Sequence, residues 1–171
     1  MSYWKSTLFL VVLLLSIGCS NSGPQSGQYD LIASEKTLPS WDHIEIVPFE
    51  REEVPHYQYW VKKATTQGEY ENLWDAFGFE KQMPYTNFEE KDVLFLGVHE
   101  SGSCPYEIEK MELLSDDGAI KVQLIGPSDV EACTDDATPR TFLIGLAKEK
   151  FKNVEDAIIV QGGTETKVPI N

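Results

Sequence analysis

The stretch Val93-Leu94-Phe95-Leu96-Gly97-Val98 decides the fold. An unbroken apolar run has no polar alternation to offer a wet face. This one is short and rich in branched and aromatic residues, so it reads as a central β-strand buried on both faces. Such a strand needs partners at both edges and a covering layer on each side.

The surrounding sequence supplies them. Phe142, Ile144 and Leu146 alternate in a later strand, and Ala157 to Val160 read as another. Tyr106 to Leu114 is a strand whose parity shifts between Ile108 and Met111, which predicts a bulge. Asp116-Asp117-Gly118 is a turn signal, and beyond it Ile120, Val122 and Leu124 alternate with Lys121 and Gln123 to complete a hairpin. Upstream, Tyr57, Tyr59 and Val61 alternate within Tyr57 to Lys63, and Ile44 and Ile46 mark a first strand within His43 to Phe49. One helix is distinct. Thr66 and Glu69 form a capping-box pattern. Tyr70, Leu73, Trp74 and Phe77 then recur at i, i+3, i+4, i+7, and Gly78 sits at the expected stop. That aromatic stripe reads as a packing face, not a cofactor site. The expectation is an α+β domain of mainly antiparallel β-sheet, sandwich-like, with one short amphipathic helix.

The N-terminus has a different character. Lys5 is the single charge before Cys19, and Leu8 to Leu15 form an apolar run. The run falls short of the roughly 18–20 residues that span a bilayer. Residues 1–18 therefore read as a secretory signal. Leu14-Leu15-Ser16-Ile17-Gly18-Cys19 resembles a lipobox: Gly18 directly precedes the cysteine, while Ser16 stands where leucine is usual. The resemblance implies lipidation of Cys19 and anchorage to membrane lipid on the extracytoplasmic face of a cell membrane, expected to be a Gram-positive cell surface. Ser20 to Gln28 reads SNSGPQSGQ, small, polar and uncharged, as a tether should be. The lipidated cysteine and flexible tether are assigned to 19–40, and a single globular domain, beginning near Trp41, to 41–171.

Cysteine arithmetic agrees. Of three cysteines, lipidation of Cys19 leaves Cys104 and Cys133 to pair in an oxidising compartment. Their bridge would staple the domain and stabilise it by roughly 3.5 kcal/mol through loop-closure entropy. The competing reading is two buried free thiols. Neither cysteine has metal-ligand spacing.

The chain carries 28 acidic against 14 basic residues, a net charge of −14. Phosphate backbones would be repelled, so nucleic-acid partners are excluded. The acidity is either a solubilising surface or a face for a basic partner or a cation.

Two loops hold the candidate chemistry. Glu100-Ser101-Gly102-Ser103-Cys104-Pro105 follows the buried strand, and small residues there can form a backbone nest for an anion. A nucleophile elbow would need G-x-S-x-G, and His43, His56 and His99 stand in no triad context, so a disulfide-positioned turn is the preferred reading. The second loop runs from Glu131 to Arg140. Its carboxylates Glu131, Asp135 and Asp136 could offer hard oxygens to calcium, but the loop lacks the glycine and closing glutamate of an EF-hand. A solvated acidic loop competes with that reading. Beyond the signal the chain has two arginines, Arg51 and Arg140, and Arg140 is the candidate for anion or carboxylate recognition. The candidate binding residues are thus Ser101, Gly102, Ser103, Asp135, Asp136 and Arg140. His99 beside Glu100 has no second histidine nearby, so no metal site is assigned. No cofactor motif occurs and no catalytic residue is assigned.

Between Tyr57 and Val160 the layout resembles the PrcB-type protease complex regulatory domain. The matching features are Trp60-Val61 in a strand, Leu73-Trp74 ending a helix, the hydrophobic strand Val93 to Gly97, and the small-residue loop Glu100 to Tyr106. Where that family carries a Thr-Gly-Gly-Tyr type of loop, this chain has Ser101-Gly102-Ser103-Cys104-Pro105-Tyr106. The resemblance implies a non-catalytic domain that binds or stabilises a secreted or membrane protein, a protease being one candidate. The expectation is therefore a membrane-anchored, non-enzymatic interaction or regulatory module. The alternative is a small-ligand or divalent-cation binder using the loops around Cys104 and Cys133.

Overall fold

A computed structural model describes residues 29–39, 59–130 and 132–170. In chain order they form β1 (Tyr29–Glu35), β2 (Trp60–Ala64), α1 (Gln67–Ala76), β3 (Lys91–Glu100), β4 (Glu107–Leu114), β5 (Ala119–Ile125), β6 (Thr138–Ala147), α2 (Lys148–Phe151), β7 (Asp156–Gln161) and β8 (Thr164–Pro169). Two four-stranded sheets result. The first has the order β1-β6-β3-β2, antiparallel throughout. The second has the order β4-β5-β7-β8, in which β5 and β7 run parallel and the other pairs antiparallel.

The apolar run of β3 is explained by two cores. Leu94, Leu96 and Val98 point into the space between the sheets, where they meet Ile120, Val122 and Leu124 of β5, Phe142, Ile144 and Leu146 of β6, and Ile159 of β7. Val93 and Phe95 point to the opposite face and pack on Tyr70 and Trp74 of α1 and on Phe77 at its C-cap. The molecule is thus layered as helix, first sheet, second sheet. The second sheet turns its outer face to solvent, which is why β5 alternates and β3 does not.

The helix forms as its sequence predicts. Thr66 Oγ1 accepts from the Glu69 amide, and the Glu69 carboxylate accepts from the Thr66 amide. Phe77 caps the C-terminus, and Gly78 leaves the helix with a φ of 70°. The stripe becomes a cluster of rings, with Trp74 stacked on Phe79 at 4.4 Å and Phe77 tilted against Phe95 at 5.1 Å. The parity shift in β4 is a register shift between Ile108 and Lys110. Gly118 closes the following turn with a φ of 59°.

Four features depart from expectation. The folded domain includes residues assigned to the tether: Tyr29–Glu35 pairs with β6 as an edge strand, bulged between Leu31 and Ala33. Its mixed sequence hides it because an edge strand need bury only part of one face. Thr37 beyond it donates to the Phe77 carbonyl and accepts at its own carbonyl from Thr141, so this segment is bound to both α1 and β6. Second, β8 was not foreseen. Third, α2 follows β6 without a break. Fourth, β2 begins at Trp60, later than expected. The strand placed at His43 to Phe49, Trp41, the signal 1–18, Cys19 and the Ser20 to Gln28 stretch lie outside the described residues. Among the described residues, no helix is long and apolar enough to cross a membrane.

Candidate functional site: the crossover end of the sandwich

The chain passes between sheets twice at the same end. Residues 101–106 carry it from β3 to β4, and residues 126–137 carry it from β5 to β6. Glu100 pairs with Thr138 and Glu107 with Ile125, so both crossovers leave from one edge of the sandwich. The Cys104–Cys133 disulfide joins them, with Cα atoms 5.6 Å apart. Cys104 is buried, whereas Cys133 is exposed.

A hydrogen-bond web runs beside the disulfide. The Thr134 amide donates to Ser103 Oγ at 2.9 Å, and the Ser103 amide donates to Thr134 Oγ1 at 3.3 Å. Ser101 Oγ lies 3.0 Å from Thr134 Oγ1. Asp136 joins from the same loop. It accepts from the Gly102 amide at 3.0 Å, from Thr138 Oγ1 at 2.8 Å and from Thr134 Oγ1. The Thr134 hydroxyl, the Gly102 amide and the Thr138 hydroxyl, in that order, stabilise the carboxylate and lower its pKa to about 2. Gly102 has to be glycine for this contact, since a Cβ there would lie 2.5 Å from Asp136 Oδ2.

The anion nest expected at Ser101-Gly102-Ser103 is therefore filled by the chain's own Asp136. Ser103 Oγ is engaged by Thr134 and lies near Ser101 Oγ and Cys104 Sγ, and among the described residues no base reaches it. Asp135 is exposed and makes no hydrogen bond or ion pair among the described residues. Glu131 lies outside the described residues. No three His, Cys, Asp or Glu side chains converge on a common point among those described.

Arg140 is placed at this end, but its guanidinium faces inward. Nε and Nη2 donate to Glu100 Oε1 at 2.9 and 2.8 Å, and Nη1 donates to Ser34 Oγ at 3.3 Å. Glu100 Oε2 accepts from the Tyr106 amide at 2.7 Å. This single carboxylate ties β3 to β6, to the first crossover and, through Arg140, to β1. The anion-recognition role expected of Arg140 is thereby taken by Glu100. Sequence reading undervalued Glu100 because it stands next to small loop residues and reads as part of the loop, whereas its side chain is fully buried. His99 turns away and packs edge-on against Trp60 at 5.5 Å, while its carbonyl accepts from Gln161 Nε2 at 3.0 Å. Gln161 thus fastens β7 of one sheet to β3 of the other at the same end.

Of the expected residues, Ser101, Gly102, Ser103 and Asp136 form one web, Arg140 braces it from below, and Asp135 projects from its surface. Thr134 and Thr138 belong to the web and were not singled out. Their signal was the Thr-x-Asp-x-Thr spacing around Asp136, a pattern of local side-chain to backbone bonding.

Comparison with known proteins finds no family model, no curated protein and no solved structure that matches the chain.

Proposed function

We propose that the chain is an exported lipoprotein, held through acylated Cys19 at the extracytoplasmic face of a cell membrane, and that its domain is a non-catalytic interaction module. Its recognition surface is the crossover end, residues 101–106 and 132–138. One observation carries this reading: both loops reach solvent, the first at Ser103 and Pro105 and the second along residues 132–137, yet are clamped to each other by a disulfide and by Asp136. Exposed loops held in one conformation lose little entropy on binding, which favours recognition of a folded partner. The partner is a secreted or membrane protein. The net charge of −14 and the outward Asp135 favour a basic face on it. The PrcB-type resemblance makes a secreted protease the first candidate.

The test is crosslinking on intact cells from probes placed on the two loops, with the charge reversal Asp135→Lys as the control. One dominant partner, crosslinked at these loops and lost in Asp135→Lys, supports the reading. Crosslinks spread evenly over the surface and indifferent to that change sink it. Cys19→Ala tests the anchor separately and should release the protein from membranes. The competing reading, a small ligand or divalent cation held by the same loops, rests on the unpartnered Asp135 carboxylate. Calorimetry with calcium separates the two, because the interaction reading expects no heat.

A further inference from the structure

The first strand decides at which end the chain enters the domain. Tyr29, where β1 begins, pairs with Leu146 near the end of β6, and Glu35, where β1 ends, pairs with Thr141 near its start. β6 itself begins at Thr138, on the crossover side, and ends at Ala147. The chain therefore comes in at the end opposite the crossovers, beside α2 and the turn at Gly118. There the Gly118 carbonyl accepts from the Glu155 amide, and the Glu155 carbonyl accepts from the Ile170 amide. From Thr138 to Leu146 the strand rises about 27 Å, which sets the two ends apart.

Where β1 begins also sets the reach of an anchor at Cys19. Ten residues separate Cys19 from Tyr29. Fully extended, that length of chain spans at most about 36 Å. A tether running to residue 40 would reach about 75 Å and let the domain turn either end to the lipid. With the shorter one, bringing the crossover end down makes the chain run back along the length of β6, ~27 Å of the ~36 Å it has. Holding it so nearly straight gives up most of its conformational entropy, whereas the upright arrangement asks for none of this. Charge gives the crossover end no pull toward anionic headgroups. Between Ile125 and Arg140 the chain carries Asp129, Glu131, Asp135 and Asp136 and no basic residue. The cations nearby are engaged, Arg140 by Glu100 and Lys36 Nζ by the Gly102 carbonyl at 3.5 Å. An anionic surface repels such a loop within a Debye length of about 8 Å.

We propose that the crossover end is the membrane-distal pole of the anchored protein and takes its partner from the aqueous phase: a soluble exported protein, not one embedded in the bilayer. This rests on the anchor at Cys19 and deepens the interaction reading, since it fixes where the partner must be. The opposite pole, at Leu114, Gly118 and Ile170, faces the lipid. Ile125 and Val130, 42% and 41% exposed, then stand clear of the headgroups as apolar contacts for that partner. A protein confined to the bilayer would have to rise past the tether and the length of the strands to reach them.

Paramagnetic relaxation from the lipid surface tests it. The processed chain from Cys19 is coupled through that thiol, the one the disulfide leaves free, to a maleimide lipid. The lipid sits in phosphatidylcholine nanodiscs that also carry phosphatidylglycerol and a gadolinium-chelate headgroup. Methyl signals of Leu114 and Ile170 should relax at least about tenfold faster than those of Ile125 and Val130, given the ~27 Å between the two ends. About twenty Gly/Ser residues inserted after Gln28 should bring the two sets within roughly twofold, because the longer tether lets either pole down. Equal relaxation in the short-tethered protein overturns the proposal, and so does faster relaxation at Ile125 and Val130. An integral membrane protein crosslinked to the loops through a segment flanking its own bilayer span overturns it as well. The anchor is read separately, in cells. Membrane retention that survives Cys19→Ala sinks the anchor and the proposal with it, whereas Cys19-dependent retention with equal methyl relaxation sinks the orientation alone.

Discussion

Arg140 Nε and Nη2 both donate to one oxygen of Glu100, at 2.9 and 2.8 Å, beneath the loops that the disulfide joins. The Glu100 side chain is fully buried and that of Arg140 is 15% exposed. Removing the guanidinium strands a buried carboxylate with a lone amide donor from Tyr106. Arg140→Met should therefore destabilise the domain by about 3–5 kcal/mol in urea unfolding. The double variant Glu100→Gln/Arg140→Met should cost less than Arg140→Met alone, because the stranded charge is gone. A loss below about 1 kcal/mol for Arg140→Met would mean that the pair behaves as a solvated surface bridge.

The web at Asp136 has a pH signature. Its folded pKa lies at about 2, below the ordinary 3.8. A depressed carboxylate stabilises the fold above its unfolded pKa, and that contribution is lost as pH falls through the folded value. The window is thus roughly pH 4 to 2. Carbon-detected NMR titration should find Asp136 among the most acidic carboxylates of the domain. In parallel, the stability gap between wild type and Asp136→Asn should narrow as pH falls across that window. Titration near 3.8 would show that the three donors do not hold Asp136 in solution.

The disulfide closes a loop of 29 residues that contains β4, β5 and most of the second crossover. Loop-closure entropy gives it about 3.5 kcal/mol of stabilisation. The double variant Cys104→Ser/Cys133→Ser should lower the unfolding free energy by about that amount in denaturant titration under non-reducing conditions. Two free thiols in the denatured, unreduced protein would contradict the bridge itself. Hydrogen exchange should show that loss in the core strand amides that exchange by global unfolding, together with added local opening of residues 101–106 and 132–138.

The sequence made the buried elements legible, with the edge strands β2 and β4, and hid the edge strands β1 and β8. Val93 to Val98 had to be covered twice, and it is, by β5 and β7 on one face and α1 on the other. Thr66, Glu69 and Gly78 marked the helix because caps are local chemistry. By contrast β1 and β8 are edge strands with charged, weakly alternating sequences, and the register of β1 comes from β6, a partner distant in the chain. The β8 hairpin did carry a signal that went unused: Gly162 and Gly163 both adopt positive φ, 58° and 80°, between Gln161 and Thr164. At the candidate site, proximity was legible through the Cys104 and Cys133 arithmetic. The direction of each side chain was not. Whether Arg140 faces solvent or Glu100 depends on strand pairing between β3 and β6, and whether Gly102 offers its amide to a ligand or to Asp136 depends on how two loops meet.

Gly102 and Asp136 should act as one unit. A methyl group at position 102 would stand 2.5 Å from Asp136 Oδ2 and 3.0 Å from Thr138 Oγ1, so Gly102→Ala must push the carboxylate out of its seat. The Gly102 amide and the Asp136 carboxylate then lose each other. Two readouts follow. The Asp136 pKa should rise from about 2 back toward 3.8 in the alanine variant. In a double-mutant cycle, Gly102→Ala and Asp136→Asn should cost less together than their separate losses add up to, because either change alone breaks the same contact. Strict additivity, with an unmoved Asp136 titration, would mean that the Gly102–Asp136 contact does not join the two crossovers, which the disulfide and the Thr134 bonds to Ser101 and Ser103 would then hold without it. The exposed loops would then lack the second clamp on which their role as a preformed recognition surface depends.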